Sequence, residues 1–551
     1  MPLVVYPAAL VRTMDPARPT ADAIAVEDGR IRAVGTVEEL AGYGDHTVDD
    51  RYAGQVLLPG FVEAHAHTMG GALWRHAYVG YDERLGPDGR RWPGCRSLDA
   101  VVDRLREAEH GLADPDEPLL AWGLDPIHFP GERLDRRHLD AVSPTRPIVV
   151  VHQSFHVSTV SSTVLRTDAI TADSRVEGVV RDADGEPTGE LREPVAMGLV
   201  RSVPAIGRMG FDRDGLNAFG ADARNHAITT IVDLGNTDLM DDEAVAGFRS
   251  VVDDPRFPAR LSVFHMGGGL AQAVDPDVAT ERLLSLRATS SAKLRFGHVK
   301  LVLDGSIQGF TARLQPPGYL PDDRTGIWLI PPPVFADMFA TFHRAGLTVH
   351  VHCNGDEATE LFLDTVEATL AASPRWDHRH TVTHSQLSTP AQYRRMATLG
   401  MCANVFANHL WYWGDEHRDL TLGPDRAFRM NAAATALRAG VPLSLHSDSP
   451  VTPMDALATA SYAASRRTRS GAVLGEHERI TVPQALHAMT LGAAYMLKMD
   501  HEVGSLEAGK LADVAVLAED PFACTPDALR DVQVLGTLVG GEPFTVGAGE
   551  P

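Results

Sequence analysis

The sequence predicts an α/β protein: a (β/α)8 TIM-like barrel with an inserted subdomain, plus a small β-sandwich domain built from both chain termini. Three observations carry this. From Gly60 onward, short strand-like apolar runs alternate with helical patterns, as in parallel α/β folds. Eight such runs can be counted, the number a barrel needs. Most of them end in a residue that can bind metal, and barrels keep their active sites at the C-terminal ends of their strands.

Residues 1 to 55 alternate short β-like runs with turns. Ala23–Val26 and Ile31–Gly35 flank Asp28-Gly29 and read as a hairpin. The last segment echoes this, with a turn-rich Gly504–Asp513 followed by the strand-like Val514–Leu517. Neither piece is long enough for a stable sheet alone, so residues 1–55 and 504–551 are expected to pair. The barrel is expected over 56–503. Its first strand is Val56–His67, followed by an excursion over about 70–205 that does not fit one βα unit. That insert has its own strand-like Pro147–His152 and a turn at Arg181–Pro187. The other barrel strands are expected at Thr229–Asp233, Arg260–His265, His298–Asp304, Leu347–His352, His380–His384, Met401–Val405 and Pro442–Asp448.

The 551 residues exceed one ordinary domain, and an apolar fraction of 44% supports a sizeable core. A formal charge of −23 argues against nucleic acid and anionic membranes as partners. Cys95, Cys353, Cys402 and Cys524 are widely spaced and form no Cys-x-x-Cys, which reads as reduced thiols in a cytoplasmic protein. No basic-then-apolar leader and no membrane-length apolar run is present. The expected partner is a small-molecule substrate, with a homodimer as the candidate assembly.

His65 and His67 share one face of a strand and aim two imidazoles at one point, which suits a metal. Among 24 histidines some His-x-His pairs arise by chance, so the reading depends on the rest of the chain. Strand five ends in His352, strand six in His384 and strand eight in Asp448. Each has a plain alternative: hydrogen-bonded core histidines, and a turn residue in Ser-Asp-Ser-Pro. All of them on one rim favours one or two metal sites. Lys300 sits inside an apolar run, where a buried ammonium tends to lose its proton. It is either salt-bridged to Asp304 or its neighbours, or a neutral amine able to form a carbamate, an anionic ligand for two metals.

The order His-x-His, lysine, histidine, histidine, aspartate resembles the amidohydrolase superfamily. The finer text is similar to amidohydrolase family 3, the branch containing N-substituted formamide deformylase. The stretches are Leu58–His67, Val299–Ser306, His352–Asp356, Thr383–Gln386, Ser447–Val451 and Gly504–Lys510. In the insert, Ala121-Trp122-Gly123, Phe155-His156 and Gly185–Gly189 also match. The resemblance implies a divalent metal centre, most simply Zn²⁺ with one or two ions. His65, His67 and Asp448 would hold one metal, and His352 and His384 a second, with carboxylated Lys300 bridging. Asp448 would also be catalytic, passing a proton from the attacking water to the leaving group. The reaction implied is cleavage of a non-peptide C–N (amide) bond by metal-activated hydroxide. Lactone or ester hydrolysis, heterocycle deamination and decarboxylation are alternatives on the same centre, and a non-catalytic metal-binding scaffold is a rival of another class. Related deaminases usually lack the lysine and carry His-x-x-Glu after strand five, unlike His352-Cys-Asn-Gly here.

Substrate-contact candidates are His156, His409, Trp122 and His350. The aromatic run Phe406–Trp413 is expected on a rim loop, as a substrate wall or as packing for the insert. Asp356 and Gln386 are candidates to orient the ligand imidazoles. His446, two residues before Asp448, is expected to narrow the pocket.

Overall fold

The structure is a computed structural model that describes residues 3–131, 133–204, 210–269 and 274–547. It divides into two compact units, Met1–His67 with Gly220–Pro551, and Thr68–Phe219.

In the first unit, eight parallel strands follow one another around a barrel. They are Phe61–Ala66, Ile228–Asn236, Arg260–Gly268, Leu294–Val302, Thr348–Cys353, Thr381–His384, Cys402–Val405 and Leu443–Leu445. Nearly all their residues are buried, as expected when helices cover one face and the barrel interior fills the other. The eighth strand closes on the first beyond its own end. There Asp448 N–H donates to His65 O at 3.0 Å, and His67 N–H donates to Ser449 O at 2.7 Å. The register is broken by bulges. Ile231 pairs with Glu63 but Asp233 pairs with Ala66, so strand one carries one extra residue between Glu63 and Ala66, the span that holds His65. A bulge of this kind re-aims the side chains that follow it.

The terminal strands form one eight-stranded sheet whose two halves share an apolar core that includes Ile24, Val26, Leu57, Val514 and Val516. Val56–Pro59, expected as the start of barrel strand one, belongs to this sheet. It pairs antiparallel with Val514–Leu517 and parallel with Leu10 and Val11. The chain changes sheets at Gly60, whose N–H donates to Asp513 O. A Cβ there would lie 2.0 Å from Thr229 Oγ1, so only glycine lets the strand pass. Sheet and barrel are also joined by Arg260, whose guanidinium donates to both Asp513 oxygens at 2.6 and 2.9 Å.

The second unit is built on a six-stranded sheet in the order Val179–Arg181, Pro187–Arg192, Val157–Val160, Ile148–His152, Leu119–Leu124, Ala77–Tyr78. Its helix Leu98–His110 is capped by Ser97 and packs Leu98, Val101 and Leu105 into one core.

Candidate metal centre

The bulge in strand one is held by Glu63. Its buried carboxylate accepts from His65 N–H at 3.0 Å and from Ser447 N–H at 3.2 Å, tying strand one to the segment that carries Asp448. Burial pushes the Glu63 carboxyl up to about 7, against the pull of those hydrogen bonds. Asp448, His384 and Ser385 all adopt left-handed backbone, with φ of 54°, 70° and 47°. That conformation is costly for residues with a Cβ and clusters at functional sites. Here it turns two strand ends inward.

The inward side chains converge. His65 Nε2 lies 3.3 Å from His67 Nε2 and 3.2 Å from Asp448 Oδ1, and His67 Nε2 lies 3.3 Å from the same oxygen. His384 Nδ1 is 3.8 Å from Asp448 Oδ2, 3.1 Å from His446 Nε2, and its Nε2 is 2.9 Å from His352 Nδ1. His65, His384, His446 and Asp448 each offer a donor atom within 4.8 Å of the other three. A tetrahedral zinc shell with ligands at about 2.1 Å sets its donor atoms about 3.4 Å apart. The spacing fits an ion.

The protonation states fit as well. Burial, reinforced by Lys300 and neighbouring imidazoles, pushes His65 well below its usual range, and burial does the same to His384. Burial lowers His446 to about 3. Burial alone would raise Asp448, but the His67 contact and the surrounding basic groups outweigh it and the net shift is downward. Neutral imidazoles around an ionised carboxylate are what a divalent ion binds.

Lys300 lies on strand four, in register with Met266 and His350. It is 2% exposed, and among the described residues its Nζ has no hydrogen-bond partner. Burial lowers its ammonium to about 7. The alternative of a Lys300–Asp304 ion pair is not what forms. Asp304 accepts from the backbone N–H groups of Arg313, Asn354 and Gly355 at 2.9, 3.0 and 2.8 Å and so braces the loop after strand five. Gly235 borders the site: a Cβ there would meet Met266 Cε at 2.5 Å, with His67 and Lys300 within 3.8 Å.

Several expected roles change. Asp356 accepts from Gln315 N–H, and the Gln386 amide has no partner, so neither orients an imidazole. Asn354 and Asn404 touch imidazoles instead: the Asn354 amide meets His352 Nε2, and Asn404 Oδ1 meets His446 Nδ1, both at 2.9 Å. His446 does more than narrow a pocket, because it brings a nitrogen into the cluster. Its place two residues before Asp448 repeats the His65/His67 spacing, which was the available signal. Glu63, two residues before His65, gave the same signal. His350 is fully buried and sits edge-on to Phe264, in register with Lys300 on the neighbouring strand.

The aromatic run is not a loop. Asn408–Glu416 is a helix, on which Trp411 stacks against Tyr462 of the helix Ala456–Ser465. His409 lies against Phe406, whose ring stacks in turn on His446. In the second unit, Trp122 is buried in a cluster with Leu73 and Tyr78, a core position. His156 Nδ1 lies 2.8 Å from Glu193 Oε2.

Residues 53–544 match the model of the amidohydrolase family. The chain is 28% identical over 550 residues to Protein LONG AFTER FAR-RED 3 of Arabidopsis thaliana, covering 96% of this chain and 89% of that one. It is 25% identical over 541 residues to N-substituted formamide deformylase of Arthrobacter pascens, covering 96% of each. The crystal structure of an uncharacterised metal-dependent hydrolase from Pyrococcus horikoshii OT3 superposes with a TM-score of 0.71 at 19% identity, covering 95% of this chain and 99% of that one. A match over nearly the whole length, on a barrel whose strand ends converge, leads to one conclusion: the chain belongs to the amidohydrolase family.

Proposed function

We propose that the protein is a metal-dependent hydrolase that cleaves a non-peptide C–N (amide) bond of a small molecule, with an N-acyl compound as the substrate class. The observation that carries this reading is the convergence of His65, His67, His384, His446 and Asp448 at ion-ligand spacing beside an unpartnered lysine amine. The relative from Arthrobacter pascens, a deformylase of N-substituted formamides, supports the same bond type.

A divalent ion, Zn²⁺ by donor type, would polarise the carbonyl and make water acidic enough to attack near neutral pH. The residues suited to hold it are His65, His67, His384, His446 and Asp448. His352 and a carboxylated Lys300 would hold a second ion. A buried, unpartnered amine with a lowered pKa is reactive toward carbon dioxide, and the resulting carbamate anion offsets cationic charge in the barrel. Asp448 takes the proton from the attacking water on a carboxylate oxygen and returns it to the departing nitrogen, which is a poor leaving group until protonated. Strained backbone and the Glu63 clamp hold Asp448 in place, so little reorganisation accompanies the transfer. The four free cysteines suit a reducing, cytoplasmic compartment.

The test is metal analysis of the purified protein beside a panel of small amides, formamides, lactones, esters and heterocyclic amines. Zinc-dependent release of amine from a formamide or amide is expected. Turnover confined to lactones or heterocyclic amines would replace this reading.

A further inference from the structure

Against the Phe406 ring lies a chain of polar groups that metal binding leaves unused. His409 Nδ1 is 2.9 Å from His417 Nε2, and His417 Nδ1 is 3.0 Å from Thr421 Oγ1. His417 and Thr421 are 0% exposed and His409 is 3% exposed. The chain is built on a single turn of π-helix, His417–Thr421, at the end of the helix that bears His409. Such turns recur at functional sites because they shift side chains by one position.

Hydrogen-bond counting gives the chain a direction. The Thr421 hydroxyl is fully buried, and among the described residues its side-chain partner is His417 Nδ1, so donating there avoids a buried orphan proton. His417 then carries its proton on Nε2 and donates to His409 Nδ1. His409 in turn carries its proton on Nε2. Among the described residues, the hydrogen bond that His409 makes through its ring is the one at Nδ1. The ring shares a neighbour with the ligand cluster, since Phe406 lies 4.6 Å from His409 and 4.7 Å from His446 between ring centroids, and His409 is close enough to His446 and His384 for their charges to interact.

We infer that His409 is a substrate-contacting hydrogen-bond donor. Its Nε2–H engages the acyl oxygen, and His417 and Thr421 are positioning residues that fix its tautomer. A neutral imidazole held this way stabilises negative charge developing on the oxygen without transferring a proton. Burial keeps His409 neutral, well below its usual range. The inference rests on reading the site as one that hydrolyses acyl compounds.

The experiment compares metal-loaded wild type with Thr421→Val, Thr421→Ser, His409→Leu and His409→Gln. Each is assayed for kcat and KM on a turned-over amide, for acetate binding by calorimetry, and for metal content and unfolding midpoint. Thr421→Ser and His409→Gln keep a donor and are expected to retain most function. Thr421→Val and His409→Leu are expected to lower kcat by roughly 10-fold to 1,000-fold, with weaker acetate binding and unchanged metal. Thr421→Val matching wild type in kcat and acetate affinity would overturn the inference, as would loss of metal in that variant. Acetate binding needs no turnover, so it still tests His409 if the amide reading fails.

Discussion

Two histidine clusters occupy opposite ends of barrel strand six, and they differ in how their nitrogens are satisfied. His378 and His380 precede the strand, and together with His343 they form a closed set. Val349 N–H donates to His380 Nδ1 at 3.1 Å, so His380 donates from Nε2 to His343 Nδ1 at 2.9 Å. His343 then donates from Nε2 to Ser373 O at 2.9 Å. His378 accepts from His380 N–H at 3.0 Å and donates to Leu399 O at 2.7 Å. Every ring nitrogen has a fixed partner and a fixed tautomer. At the other end, the His384 ring nitrogens face other imidazoles and a carboxylate, and among the described residues His65 Nδ1, His67 Nδ1 and Lys300 Nζ have no hydrogen-bond partner. Burial alone does not mark a ligand histidine, since both clusters are buried. The mark is a set of nitrogens aimed at one another and at a carboxylate, with a backbone oxygen near one of them, Gly305 O at 3.2 Å from His352 Nε2.

The largest effect is expected at Asp448. Asp448→Asn keeps the shape but removes the proton carrier, and kcat is expected to fall by about 10²-fold to 10⁴-fold with the unfolding midpoint nearly unchanged. A variant that stays active would remove Asp448 from the chemistry.

Lys300→Ala comes next. Metal content and activity are expected to fall together, and a short carboxylic acid in the assay should restore part of both. If density of metal-loaded, active protein shows an unmodified Lys300, the bridging role is lost and a single-ion centre remains.

His380→Leu should separate the clusters in the other direction. It orphans the Val349 N–H and a His343 nitrogen, a loss of about 2 kcal/mol in stability, read as a lower denaturant midpoint. Metal content and kcat should hold. Loss of metal from this variant would mean that the two clusters are not independent.

The smallest effect is a pH dependence of the closed set. Burial lowers His378 to about 4, while an unfolded histidine titrates near 6.5. Between those values the unfolded chain binds more protons, so stability is lost as pH falls from about 6.5 toward 4. In metal-free protein, His378→Gln should flatten that part of the midpoint-against-pH curve. An unchanged curve would assign the dependence to other groups.

Much of the barrel was legible in the chain because its strands are continuous apolar runs ending in polar residues, and alternation assigns faces from neighbours alone. His65 and His67 could be paired in this way, and Lys300 stood out as a charge within an apolar strand. His409 was legible only as a candidate, because nothing local says that His417 and Thr421 would fix its proton. The sheet that takes Val56–Pro59 is not legible in the chain, because its apolar run is unbroken until Pro59-Gly60 and either sheet would bury it.

By itself the sequence determined the order of elements and the kinds of atoms at their ends, since both follow from side-chain chemistry and a period of two or 3.6 residues. Only the tertiary structure decided which of those atoms meet. The bulge at His65 comes from pairing with a strand that begins more than 160 positions away, and the Glu63 clamp on Ser447 and the bond from Asp448 N–H to His65 O join residues more than 380 positions apart. Such contacts depend on closing the barrel, where the register of the eighth strand against the first sets the geometry. Left-handed backbone at His384 and Asp448 persists for the same reason: the closed barrel supplies the contacts that outweigh its cost.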